Sequence, residues 1–261
     1  MKKMINSAIA SFAMFSRIPM PRCDWEKENI RYMLVFMPFV GAVIGGLSVV
    51  FYFLIYCGHY INDTLALILF MLIPFVTTGG IHLDGYLDTT DALSSWKPKE
   101  ERVEILKDVH VGAFAVIRGI VYFIFLYGVY AGVAEKSLLV LYLGLTFFLS
   151  RCFNALSILT FPKAKAKGTV NTWQKDADPI CKPVLMVLAF AGFVLGFFMD
   201  PFYGLVLAAT VLGVYAWYYF KSKKYFGGMT GDLAGYFVCI CEPAAMFILL
   251  LACALRTRIG I

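Results

Sequence analysis

Runs of roughly twenty apolar residues recur from one end of this chain to the other, and they leave it few ways to fold. A bilayer core holds no water to satisfy backbone N–H and C=O groups, so a chain crosses it only as helices or as a closed barrel. The apolar residues are continuous rather than alternating, which selects helices. The 261 residues are 61% hydrophobic and only 15% charged. A soluble domain carries about 25% charged residues, a gap too wide for a large core to explain. No linker, low-complexity stretch or composition break divides the sequence. Residues 1–261 are therefore expected to form one all-α, polytopic membrane domain.

The expected spans are 33–56, 65–76, 112–134, 137–161, 183–199, 202–220 and 233–255, about seven crossings. The second is short, and reaches spanning length only if Thr64 and residues 77–83 continue it. The N-terminal stretch "MKKMINSAIASFAMFSRIPMP" is broken by Arg17 and two prolines, and no small-residue cleavage site follows. It reads as a short interfacial helix rather than a signal peptide. The seven cysteines show no Cys-x-x-Cys spacing and lie mostly in or beside apolar runs. They are expected to pack as small hydrophobes.

Orientation follows from Lys and Arg, which concentrate on the cytoplasmic side of a membrane protein. With the N-terminus cytoplasmic, segments 1–32, 79–111, 162–182 and 221–232 share one side and hold 18 of the 23 basic residues. The other side holds three, Lys136, Arg256 and Arg258, and the last two make the tail dissent. Arg118 and Arg151 fall inside apolar runs. Every polar segment rich enough to build a site thus faces the cytoplasm.

One such segment, "TTGGIHLDGYLDTTDAL" (77–93), sets Asp84, Asp88 and Asp91 at i, i+4 and i+7. On a helix these share one face, within about 40 degrees of each other. Three carboxylates so close repel unless a cation compensates. Mg²⁺ suits them, because it takes oxygen ligands from one or two carboxylates together with phosphates and water. His82 precedes the cluster, and Gly79, Gly80 and Gly85 let the backbone turn or approach a ligand. The plainer reading is a solvated acidic helix start. A second stretch, "GGMTGDLAGYF" (227–237), repeats the Gly-Gly-x-x-x-Asp pattern. Gly227, Gly228, Gly231 and Gly235 offer backbone N–H groups to phosphate, Thr230 a hydroxyl and Asp232 a further metal ligand. Close helix packing is the alternative for the glycines.

Cationic candidates complete the set. Glu100, Glu101, Arg102, Glu104, Lys107 and Asp108 read as an amphipathic helix, of which Lys107 stands closest to the next membrane run. Arg118 either snorkels to the interface or binds phosphate. Arg151 lies mid-run, where insertion costs at least ~2.5–3.5 kcal/mol, so it requires an intramembrane carboxylate or a ligand phosphate. Glu242 is the obvious carboxylate. Lys163, Lys165, Lys167 and Lys175 make 162–182 basic, which suits anionic headgroups or a polyanionic substrate.

"RIPMP" (17–21), "GGIHLDGYLDTTDAL" (79–93), "EILKDVHVGAFAV" (104–116), "SR" (150–151) and "GGMTGD" (227–232) with Glu242 closely resemble the cobalamin synthase family, the adenosylcobinamide-GDP ribazoletransferases. The motifs stand in family order over nearly the whole chain. The resemblance implies a multi-pass inner-membrane enzyme that uses Mg²⁺. α-Ribazole or its 5′-phosphate would attack the cobinamide-side phosphorus of adenosylcobinamide-GDP, releasing GMP in the last steps of cobalamin biosynthesis. The residues alone reach only a metal-assisted transferase acting on phosphates at the inner face.

The expected assignments are Asp84, Asp88 and Asp91 to Mg²⁺, with Asp232 a further ligand. Lys107 and Arg151 would face diphosphate charge, and His82 or an unligated aspartate would act as base. Partners are the corrinoid nucleotide, the ribazole and membrane lipid, with no nucleic acid; a homo-oligomer is left open. Competing readings are a CDP-alcohol phosphotransferase or prenyltransferase, and an ion-coupled transporter using Asp84, Glu242 and Arg151.

Overall fold

The computed structural model describes residues 2–23, 25–108, 110–164 and 169–259, and each of its regular elements is a helix. In chain order these are α1 (Lys2–Phe15), α2 (Lys27–Ile30), α3 (Met33–Phe51), α4 (Asp63–Thr78), α5 (Ile81–Ser94) and α6 (Lys99–Ile105). There follow α7 (Ala113–Ala134), α8 (Ser137–Thr160), α9 (Thr169–Asp176), α10 (Cys181–Met199), α11 (Pro201–Phe226) and α12 (Gly231–Ile259). One wide turn, Tyr52–Tyr56, prolongs α3; the Cys57 N–H closes it on the Tyr52 carbonyl at 2.9 Å. Six of the described helices are long and apolar enough to cross a membrane, and α4 with α5 makes a seventh crossing if that bent pair counts as one. The chain is a multi-pass helical bundle, as its apolar runs require.

The second run departs from expectation. It does not continue straight through residues 77–83: α4 stops at Thr78, and α5 leaves at 90°. The cause is local. Gly79 and Gly80 both adopt left-handed backbone, with φ of 65° and 77°. Two such residues in succession break a right-handed helix, and a Cβ would make each costly. The Asn62 side chain starts α4 by accepting from the Thr64 and Leu65 N–H groups at 3.0 and 3.3 Å.

α8 forms the centre of the bundle and is the most buried of the long helices. α3 approaches it through glycines: a Cβ on Gly45 would stand 2.7 Å from the Gly144 carbonyl oxygen. Between helices in lipid, such close backbone contact replaces the hydrophobic drive that water would supply. α5 and α12 meet in the same way, running antiparallel. A Cβ on Gly85 would reach the Asp232 carbonyl oxygen at 2.5 Å, and one on Gly235 the His82 carbonyl oxygen at 2.7 Å. Gly235→Val is expected to destabilise the protein by about 1–3 kcal/mol through overpacking of this seam. Thermal unfolding in detergent measures it; an unchanged melting temperature would contradict the packing described.

Far from this seam, one of the two arginines of the dissenting tail has a structural partner. Arg256 of α12 pairs with Asp200 at 2.6 Å and packs over Tyr203 at 5.2 Å. Asp200 also caps α11, accepting from the Phe202 and Tyr203 N–H groups. Arg256 is thus a clamp between helix ends. At the opposite end, α1 buries Ser7, Ala10, Ser11 and Phe15 and exposes Met4 and Ile5. Asp178, before α10, accepts from the Ile180 N–H at 2.9 Å and pairs with Arg31 of the α2–α3 link. The Ile180 N–H, followed by Arg31 and Tyr32, holds its carboxyl below the usual range. No disulfide forms among the described residues, and Cys152, Cys181, Cys239 and Cys241 are buried.

Candidate active site

The acidic cluster rests on α5, which carries Asp84, Asp88 and Asp91 as the spacing requires. Asp84 is exposed, while Asp88 and Asp91 are half-buried. The glycine seam brings the first turn of α12, with Asp232, against α5. Asp84, Asp232 and Asp91 all act electrostatically on Asp88. Two acidic segments 148 residues apart therefore form one negative centre. Among the described residues none of the four carboxylates is paired with a cation. Asp91 stands against Gly112, the residue that precedes α7, where a side chain would collide with its carboxylate. Its charge therefore also complements the start of that helix.

Among the described residues no three Asp, Glu, His or Cys side chains converge as a ready-made metal cage. The donors are nevertheless of the type a hard cation takes, carboxylate oxygens that repel one another.

Two open pockets flank the cluster. The larger, about 580 Å³, is lined by Ser16, Arg17, Gly79, Gly80, Asp84 and Leu87. Its volume falls in the range of small-molecule sites. Arg17 arrives there because its N–H donates to the Thr77 carbonyl at 2.7 Å, and its side chain lies on Gly79. No carboxylate pairs with it among the described residues. No side chain caps α5, so its first-turn N–H groups remain free to meet an anion. The second pocket, about 330 Å³, is lined by Lys107, Lys163, Asn171, Thr230 and Asp232. Lys107 also donates to Glu104 at 2.7 Å, and Lys163 to Asn171.

The two Gly-Gly repeats prove to be the same device. Gly79 ends α4 and Gly227 ends α11, each in left-handed backbone, and each precedes a helix that bears an aspartate. Their N–H groups are already engaged. Gly80 donates to Phe75 at 3.0 Å and Gly228 to Ser222 at 3.2 Å, so both close helix ends. Gly228 is further buried against Pro162 and Lys163, where the Met229 N–H donates to the Pro162 carbonyl at 2.8 Å. Thr230 caps α12 by accepting from the Leu233 N–H at 3.2 Å, and its hydroxyl faces Asp232 at 3.4 Å.

Arg151 and His82 come together elsewhere. Arg151, 1% exposed, pairs with Glu242 and donates to the Ser150 hydroxyl at 2.9 Å. Ser150 in turn donates to Glu242 at 2.7 Å. The carboxylate expected from the sequence is the partner found. His82 turns inward and lines a small cavity with Arg151, Glu242, Tyr122 and Tyr130. Its Nε2 has no protein partner. About 30 Å³ of the cavity accepts water, enough for one or two molecules and too little for substrate. His82 and Arg151 therefore lie beneath the acidic surface rather than on it. Sequence reading missed Arg17 as a site residue; its signal was a cation that ends an apolar stretch just past α1. Lys165 and Lys167 lie outside the described residues.

A helical membrane bundle whose acidic centre is flanked by two pockets lined with cationic side chains has the make-up of a membrane-embedded enzyme that handles charged substrates. A family model described as cobalamin-5-phosphate synthase matches residues 7–251. The chain is 40% identical over 246 residues to a Lachnoclostridium phytofermentans protein named adenosylcobinamide-GDP ribazoletransferase, covering 93% of this chain and 92% of that one. A Clostridium botulinum protein of the same name (strain Alaska E43) is 31% identical over 255 residues, 95% of this chain and 98% of that one. A Clostridium perfringens relative, also so named, is 27% identical over 252 residues, 95% of this chain and 99% of that one. No solved structure matches. The chain belongs to the cobalamin-5-phosphate synthase family, and it is a transferase.

Proposed function

We propose that the protein joins the nucleotide loop of adenosylcobalamin, transferring the adenosylcobinamide phosphate group from adenosylcobinamide-GDP to α-ribazole or its 5′-phosphate with Mg²⁺. One observation carries this reading: unpaired Arg17, the free first-turn N–H groups of α5 and Asp84 line a single open pocket. That combination suits a diphosphate, which needs donors on its oxygens and a carboxylate-held cation beside them. The relatives' printed names support the two substrates. The basic bias of the N-terminal side supports a cytoplasmic site on an inner-membrane protein.

When bound by Asp84 and Asp88, with Asp232 or Asp91 adjoining, Mg²⁺ supplies charge neutralisation to the diphosphate. The rest is done by the chain. Arg17 and the α5 N-terminus hold the nucleotide-side phosphate, orienting the P–O–P bridge. The second pocket receives the ribazole between Lys107, Lys163 and Asn171. Asp232 lines that pocket and takes the proton of the attacking ribose hydroxyl. A new O–P bond forms at the cobinamide-side phosphorus, the P–O–P bridge breaks, and GMP leaves with the bridging oxygen. The charge of Arg151 is answered by Glu242, so Arg17 replaces it on the diphosphate.

The test is purified protein in detergent with adenosylcobinamide-GDP, α-ribazole and Mg²⁺, followed by GMP release. Release that requires all three and stops with chelator is expected; none under conditions where an authentic relative works would reject the reading. Arg17→Gln is expected to raise the KM for adenosylcobinamide-GDP by about 10- to 100-fold, the loss of one charged hydrogen-bonded contact of roughly 1.5–3 kcal/mol. An unchanged KM would remove Arg17 from the site.

A further inference from the structure

Arg118 and Lys221 are used by nothing described so far, yet the fold brings them together. Arg118 lies five residues inside the start of α7, and Lys221 five residues inside the end of α11. At 1.5 Å per residue both sit about 7.5 Å in from the same side of the bundle, the reach over which a long cationic side chain snorkels to headgroup level. One aromatic row joins them: Tyr122, one turn after Arg118 on α7, meets Tyr86 at 4.9 Å, Tyr86 meets Tyr236 at 5.8 Å, and Lys221 donates to the Tyr236 hydroxyl, so the two cations also repel one another. Among the described residues no carboxylate pairs with either. Two like charges held together without an acid partner are unfavourable until an anion joins them.

The surroundings are built rather than incidental. Lys221 is half-buried, donates to the Tyr236 hydroxyl at 2.9 Å, and lies over Trp217 at 4.5 Å and Tyr236 at 5.2 Å. Tyr86 stacks on Tyr236 at 5.8 Å and extends the aromatic row from α12 to α5. The aromatic faces hold the ammonium in place while leaving its remaining protons free. The rim is apolar and outward-facing: Ile117 and Val121 on α7 and Phe220 on α11 are all exposed. Two cations without an acid partner beside outward-facing apolar side chains at headgroup depth suit an amphiphile with a phosphate head.

We propose that Arg118 and Lys221 form a lateral phosphate-ester site, separate from the two pockets at the acidic cluster, whose ligand is an anionic phospholipid lying along Ile117, Val121 and Phe220. Arg118 offers its planar fork to the phosphate oxygens and Lys221 a point charge. Native mass spectrometry of the full chain in detergent tests this, with dioleoylphosphatidylglycerol and inorganic phosphate as separate probes. Wild type is compared with Arg118→Gln and with Arg118→Gln/Lys221→Gln, each checked for an unchanged melting temperature. Because Arg118 is exposed, its single variant should fold even if the double one does not. One phosphatidylglycerol bound to wild type, with affinity weakened roughly tenfold or more in the variants, establishes the lipid as ligand. Loss confined to the inorganic phosphate probe keeps the site and assigns it to a free phosphate. Equal binding of both probes by wild type and variants overturns the proposal.

Discussion

Asp84→Asn should lower single-turnover GMP release by at least about 10³-fold while the protein still inserts, elutes as a single species and melts normally. Among the described residues the exposed carboxylate of Asp84 makes no ion pair or hydrogen bond that Asn would break, so stability has no reason to fall. What disappears is the negative charge in the pocket that also holds Arg17. Charge stabilisation of a departing phosphate is worth several kcal/mol, and each 1.36 kcal/mol is about tenfold in rate. Asp91→Asn should behave differently. Its carboxylate adjoins Gly112 at the start of α7, so part of its loss will appear as stability rather than rate. If Asp84→Asn retained turnover within tenfold of wild type, carboxylate-held metal at this pocket would have to be abandoned.

The contrast between those two aspartates marks how far the sequence could be read. Their common face follows from 3.6 residues per turn alone, and six of the spans follow from the length of the apolar runs. The partnership of Arg151 with Glu242 was also legible, because an arginine in the middle of a membrane run demands a carboxylate and few were on offer. Three features needed coordinates. The right-angle turn at Gly79–Gly80 depends on both glycines taking positive φ, which composition does not reveal. Arg17 joins Asp84 in lining one pocket because its N–H bonds to Thr77, a contact between segments 60 residues apart. His82 sits two residues from Asp84 but points to the other side of the helix, into the cavity below. Lys221, Lys223 and Lys224, outside the expected span 202–220, continue α11 to Phe226, because that helix simply extends past the apolar run.

Beneath the site, Glu242→Ala is expected to cost about 3–5 kcal/mol of stability, since it strands the guanidinium of Arg151 in an apolar interior. Arg151→Met should cost less: a lone Glu242 can take up a proton and keep the Ser150 hydroxyl beside it at 2.7 Å. The informative variant is the double one, Arg151→Met/Glu242→Leu. Replacing both members of a buried pair with well-packed apolar residues is often neutral or stabilising, so its melting temperature should return close to that of wild type. The difference between the double variant and the summed singles gives the coupling energy of the pair directly. GMP release then separates the two roles open to Arg151. With Glu242 neutralising it and Arg17 standing at the diphosphate pocket, the stable double variant should turn over within about tenfold of wild type. Recovery of stability without recovery of turnover would mean that the guanidinium leaves Glu242 for the substrate during the reaction, and would return Arg151 to the diphosphate.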